Sequence, residues 1–85
     1  LMEGTLASLR LDCVVAFVMG VSRAKASAYI AGDLVSINWE PCGNSSAQVK
    51  EGDLLSIRRF GRVALASVAG ETKKGRIRVM MKRYL

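Results

Sequence analysis

Between Ser22 and Asn38 the chain changes its hydrophobic period, and that change limits what can be built around it. Ala26, Tyr29 and Ile30 recur at the spacing of one helix face. Ser22 stands where an N-cap belongs, and Gly32 is expected to supply a left-handed stop. From Val35 onward the period is two: Val35, Ile37 and Trp39 alternate with Ser36 and Asn38, as in a half-buried strand that keeps Trp39 in the core. A short helix running straight into such a strand needs a sheet to lie on. Its first turn carries Arg23 and Lys25. Free N–H groups and the helix dipole already make that position electropositive, so Asp or Glu is the usual occupant. Two cations there work against the helix unless an anion docks nearby, which points to phosphate and so to nucleic acid.

The same reading extends in both directions. Residues 1–7 read as a linker or tail. Ser8 is a plausible cap for a first helix reaching Met19, with Leu11, Val14, Val15 and Val18 on one face and Gly20 as its stop. The nearly all-apolar stretch Cys13 to Met19 is expected to be buried, or in part docked on a further domain. After the loop Pro41 to Ser46, a short strand is expected around Ala47 to Lys50. A turn at Glu51-Gly52-Asp53 follows, then a strand with Leu55 and Ile57 facing in. Residues 63–68 and 76–83 read as a hairpin around Gly70 to Gly75, with Ile77, Val79 and Met81 opposite Arg76, Arg78 and Lys82. The expected fold is α+β: two N-terminal helices packed on a small, mostly antiparallel sheet of about five strands, ending in a C-terminal β-hairpin.

With 85 residues the chain can bury one modest core. Its net charge of +6 is unevenly spread. Residues 1–40 set Arg10, Arg23 and Lys25 against Glu3, Asp12, Asp33 and Glu40. Residues 41–85 hold ten cations against Glu51, Asp53 and Glu71. Such asymmetry is an electrostatic footprint for a polyanion. Histidine is absent, and Cys13 lies inside an apolar helical run while Cys42 lies in a turn, so no metal site, disulfide framework or cofactor is expected. No carboxylate pair, nucleophile–base set or phosphate-cradling glycine loop is apparent, which argues against catalysis. The longest apolar run, Cys13 to Met19, falls far short of the ~20 residues a bilayer requires, and no signal peptide is visible. No membrane partner is expected, and free thiols suit the cytoplasm.

Four pieces carry a family resemblance: Arg10-Leu11-Asp12, Ser22-Arg23, the run Ala31-Gly32-Asp33-Leu34-Val35-Ser36-Ile37-Asn38, and Gly52-Asp53-Leu54-Leu55. In order and spacing, over roughly residues 9–58, they resemble the RNA-binding domain named after small-subunit ribosomal protein S-four. Many members follow the Asn with Gly in a tight turn, whereas this chain continues Trp39-Glu40-Pro41-Cys42-Gly43, which reads as a longer loop. With that loop, Arg59-Phe60-Gly61-Arg62 and the basic hairpin, the chain is similar to the C-terminal module of YlmH-type proteins. The resemblance implies one domain over residues 8–85, with residues 8–59 the core motif and 60–85 a hairpin extension. It also implies a parent chain with a separate N-terminal domain, as expected of a sequence opening on Leu1 rather than Met. The implied partners are ribosomal or transfer RNA and the ribosome.

The candidate contacts follow from both readings. Arg23 and Lys25 lead, with Ser22 as cap and secondary phosphate contact. Arg10 either pairs with Asp12 or Asp33 or faces RNA. Asn38 either reads a base edge or 2′-OH or braces its turn. Arg58, Arg59 and Arg62 are bunched, with Arg58 and Arg62 pointing away from the core, and Lys73, Lys74, Arg76 and Arg78 form a flexible cationic loop and strand face. Together these cations are expected to make one continuous surface. The expected function is non-catalytic recognition of structured RNA through phosphate geometry. The alternatives are a targeting appendage of an RNA-modifying enzyme and a basic protein-interaction module.

Overall fold

A computed structural model describes residues 2–84; Leu1 and Leu85, the two ends of the expected tail and domain, lie outside them. Its elements are β1 (Met2–Leu6), α1 (Leu11–Met19), α2 (Arg23–Ala31), β2 (Val35–Ile37), β3 (Glu40–Pro41), β4 (Leu54–Ile57), β5 (Gly61–Glu71) and β6 (Ile77–Tyr84). The strands form one six-stranded sheet in the order β1-β6-β5-β4-β2-β3, and every pairing is antiparallel. Two helices on an open antiparallel sheet is the α+β architecture expected.

The alternation within each strand decides which face the helices cover. Val35, Leu55, Ile57, Val63, Leu65, Val79 and Met81 are buried with Leu11, Val14, Val15, Val18, Ala26 and Ile30 in one cluster. The all-apolar α1 is therefore a core helix. Its three half-buried residues, Ala16, Phe17 and Met19, also pack against that cluster. The intervening strand positions, among them Ser36, Ser56, Arg62, Ala64, Lys82 and Arg78, fall on the opposite, open face.

Several expectations are corrected. The stretch expected as a tail contains β1, paired from Met2↔Met81 to Leu6↔Ile77. Gly4 admits this strand under α1, because a Cβ there would stand 2.5 Å from the Phe17 ring. Helix α1 starts at Leu11, after Arg10, with no side-chain cap. Ser8 instead accepts the Arg10 N–H, and the N–H groups of Leu11 and Asp12 donate to the carbonyls of Ala47 and Ser45. The loop expected as a strand near Ala47 thus closes the start of α1, joined to the segment before it by the isolated bridge Arg10↔Gln48. At the end of α2 the left-handed residue is Asp33 (φ 60°), one position beyond Gly32 (φ −85°).

The largest correction concerns Trp39. Strand β2 stops at Ile37, and Ile37↔Glu40 pairing leaves Asn38 and Trp39 as a two-residue turn with φ of 50° and 71°. Both central residues at positive φ make this a type I′ hairpin turn, whose favoured second residue is Gly. The tight turn is present, with Trp in the glycine position. The indole consequently leaves the core and is 64% exposed.

Candidate nucleic-acid interface

The two helix starts meet at one carboxylate. Asp12, in the first turn of α1, is only 4% exposed. It accepts from Arg10 Nε (3.2 Å) and Nη2 (3.1 Å), from Arg23 Nη2 (3.2 Å) and from the Cys13 N–H (2.8 Å). Burial alone would raise this carboxyl. The two guanidiniums and the backbone donor outweigh burial and hold it below its ordinary value, and Asp12 in turn raises the Arg23 guanidinium. The Arg10 and Arg23 side chains remain 41% and 56% exposed, so each keeps an outward edge. Ser22 accepts from the Lys25 N–H at 3.1 Å, which makes it the N-cap expected. No acid pairs with Lys25 among the described residues.

This arrangement revises the argument from helix polarity. The anion that offsets Arg23 is in part internal, since Asp12 from the neighbouring helix supplies it. Of the alternatives for Arg10, pairing with Asp12 is realised. What remains outward is the pair Arg10 and Arg23, fixed side by side by one carboxylate at the capped start of α2, with Lys25 exposed two residues further along that helix.

The other candidates separate. Asn38 braces its turn: Nδ2 donates to Asp53 Oδ1, and Oδ1 accepts the Leu54 N–H, both at 3.0 Å. One amide N–H and one oxygen lone pair are thereby engaged in the turn. Arg58, Arg59 and Arg62 are exposed around the β4–β5 turn, where they line a cleft of about 540 Å³ with Trp39, Ser36 and Ser56. The Arg62 guanidinium lies 5.5 Å from the Trp39 ring centroid. Arg76 is committed to β1, through Nε to Thr5 Oγ1 (3.0 Å) and Nη2 to the Thr5 carbonyl (3.1 Å). Lys73, Lys74 and Arg78 are exposed. Their loop is knitted by Thr72, whose Oγ1 accepts the N–H groups of Lys74 and Arg76.

The expected continuous surface is therefore divided. Arg10, Arg23 and Lys25 belong to the helical layer on the core side of the sheet, while Arg62 and Arg78 project from its open face. Two further cations stand outside the expected contacts. Lys82 extends the open-face row opposite Ala64. Arg83 donates to the Phe60 carbonyl at 2.8 Å and stacks 3.9 Å over its ring, bracing the β4–β5 turn. Strand alternation marked Lys82; nothing local marked Arg83.

The S4 domain family model matches residues 9–55, more than half of the chain and the part that holds both helices, the Asp12 cluster and the Asn38 turn. The chain belongs to the S4 domain family. Within this S4 chain, 81 residues are 43% identical to ribosome-associated protein quality control protein P2 of Bacillus subtilis (strain 168). That alignment takes in 95% of this chain, which spans about a third (32%) of the relative's length. A crystal structure of a pseudouridylate synthase is also similar, with a TM-score of 0.56 and 28% identity over 66% of this S4 chain and 26% of the synthase. The family match ends at residue 55, whereas the Bacillus relative is similar over nearly the whole chain, hairpin included.

Proposed function

We propose that this S4 domain is a non-catalytic RNA-binding module that grips structured RNA, ribosomal or transfer RNA, by its phosphates at the paired helix starts. The observation that carries this is the Asp12 clamp: one buried carboxylate holds Arg10 and Arg23 side by side at the capped start of α2, the helix whose first turn also carries Lys25. A guanidinium fixed on one edge loses less freedom when its other edge meets a phosphate. The major groove of A-form RNA is too deep and narrow for side chains to read, so small basic domains of this kind grip backbone and 2′-hydroxyls. Similarity to the ribosome-associated Bacillus protein supports a ribosomal setting; in this reading the module belongs to a longer cytoplasmic chain with a separate N-terminal domain.

Replacing Arg23 and Lys25 together by Ala should weaken binding to a structured ribosomal or transfer RNA about 10-fold or more while the circular dichroism spectrum stays native. Unchanged affinity in a folded double variant would move the site elsewhere. A second reading, favoured by the likeness to a pseudouridylate synthase, makes the module a targeting appendage of an RNA-modifying enzyme. Pseudouridine formation by the full-length protein would decide for that reading.

A further inference from the structure

We propose that Trp39 and the Arg62 guanidinium form a stacking platform for an unpaired base of single-stranded RNA. This second site lies on the open face of the sheet, away from the paired helix starts, and takes a ligand of different chemistry.

Three observations converge on it. First, the only tryptophan of the chain is 64% exposed and sits at φ 71°, where a bulky residue is disfavoured and glycine is preferred. No core burial compensates that backbone, and backbone strain of this kind clusters at ligand-contacting positions. Second, the ring is held in place. Asn38 locks the turn through Asp53 and Leu54, and Arg62 lies over the indole at 5.5 Å. Third, the adjoining cleft, of about 540 Å³, carries Arg58, Arg59 and Arg62 against the single acid Asp33. Its floor includes Ser56, whose Oγ is buried without a hydrogen-bond partner among the described residues.

These parts divide naturally over one nucleotide. The indole face takes the base, the arginines take flanking phosphates, and the unsatisfied Ser56 hydroxyl supplies a donor or acceptor for a base edge. Charge alone would suit an acidic peptide equally, but an exposed indole under a guanidinium favours a ligand with a π-face. A duplex keeps its bases stacked on one another, so the ligand is single-stranded.

Because Trp39 is the only tryptophan, its fluorescence reports on this site alone. Titration of the 85-residue chain with a short oligoadenylate should quench the emission saturably, whereas an abasic oligomer of equal length should not. Trp39→Gly should lower oligoadenylate affinity by about 5- to 150-fold, the range of one base stack. Glycine suits the type I′ turn, so the variant should melt no lower than the parent chain, and lost binding would not reflect lost folding. Trp39→Phe should retain much of the affinity. Binding of a structured hairpin should survive Trp39→Gly and fall in the Arg23→Ala/Lys25→Ala variant, so the two sites fail independently. Absent quenching, equal quenching by the abasic oligomer, unchanged affinity in Trp39→Gly, or displacement by polyglutamate as readily as by oligoadenylate would each overturn the proposal.

Discussion

Asp12 is reached by guanidiniums from two different positions, the residue before α1 and the first residue of α2, and among the described residues no other cation pairs with it. Its folded pKa lies below the ordinary value, so the ionised form stabilises the fold. That contribution is fully present above the unfolded carboxylate pKa of about 3.9 and is lost as pH falls through the lower folded value. Acid denaturation should therefore steepen below about pH 4. Asp12→Asn should flatten that limb in pH-dependent melts and cost about 1–3 kcal/mol at neutral pH, since both arginines can rehydrate but the buried site cannot. An acid limb unchanged in Asp12→Asn would assign the pH dependence to other carboxylates.

At the scale of elements, the first and last strands hold each other. Strand β1 is an edge strand fastened by its ladder to β6, by Arg76 to Thr5, and by the fit of Phe17 over Gly4. A methyl group at residue 4 would force the Phe17 ring aside. Gly4→Ala should cost about 1–3 kcal/mol, the range for overpacking, and lower amide protection in β1 more than in β4. Phe17→Leu in the same chain should recover part of the loss. Equal loosening of both strands would mean that β1 is not a separable element. At the opposite edge, the short β3 ends in Pro41, which has no N–H to offer an incoming strand.

Across the whole molecule, Arg10, Arg23 and Lys25 lie in the helical layer while Arg62, Arg78 and Lys82 lie on the open face of the sheet. Neutralisation of ~4–6 phosphates by structured RNA would give a slope of log affinity against log salt of about −3 to −5. The Arg23→Ala/Lys25→Ala variant should shallow it by roughly 1.4–1.8, while Trp39→Gly should leave it unchanged because stacking displaces no condensed counterion. A slope near zero in the parent chain would remove the electrostatic basis of the proposed function. In the core, Leu55→Ala, at a site with no exposed surface, should cost about 2–5 kcal/mol by denaturant unfolding.

Local rules sufficed wherever a few consecutive residues set the outcome. The helix capped by Ser22, the stop at Gly20, the inward set Leu55, Ile57, Val79 and Met81, and the α+β architecture all follow from period and capping in the chain itself. Contacts between residues distant in sequence lay beyond such rules. Strand β1 exists because β6 offers it an edge, Arg23 is part-neutralised because the start of α2 packs beside Asp12, and Arg76 is drawn to Thr5. Trp39 left the core because Ile37 pairs with Glu40, which turns the chain two residues earlier than its alternation suggested. Periodicity states which side of a strand a residue occupies but not where the strand ends or what lies across from it. Only the assembled sheet determined that the basic residues face two directions.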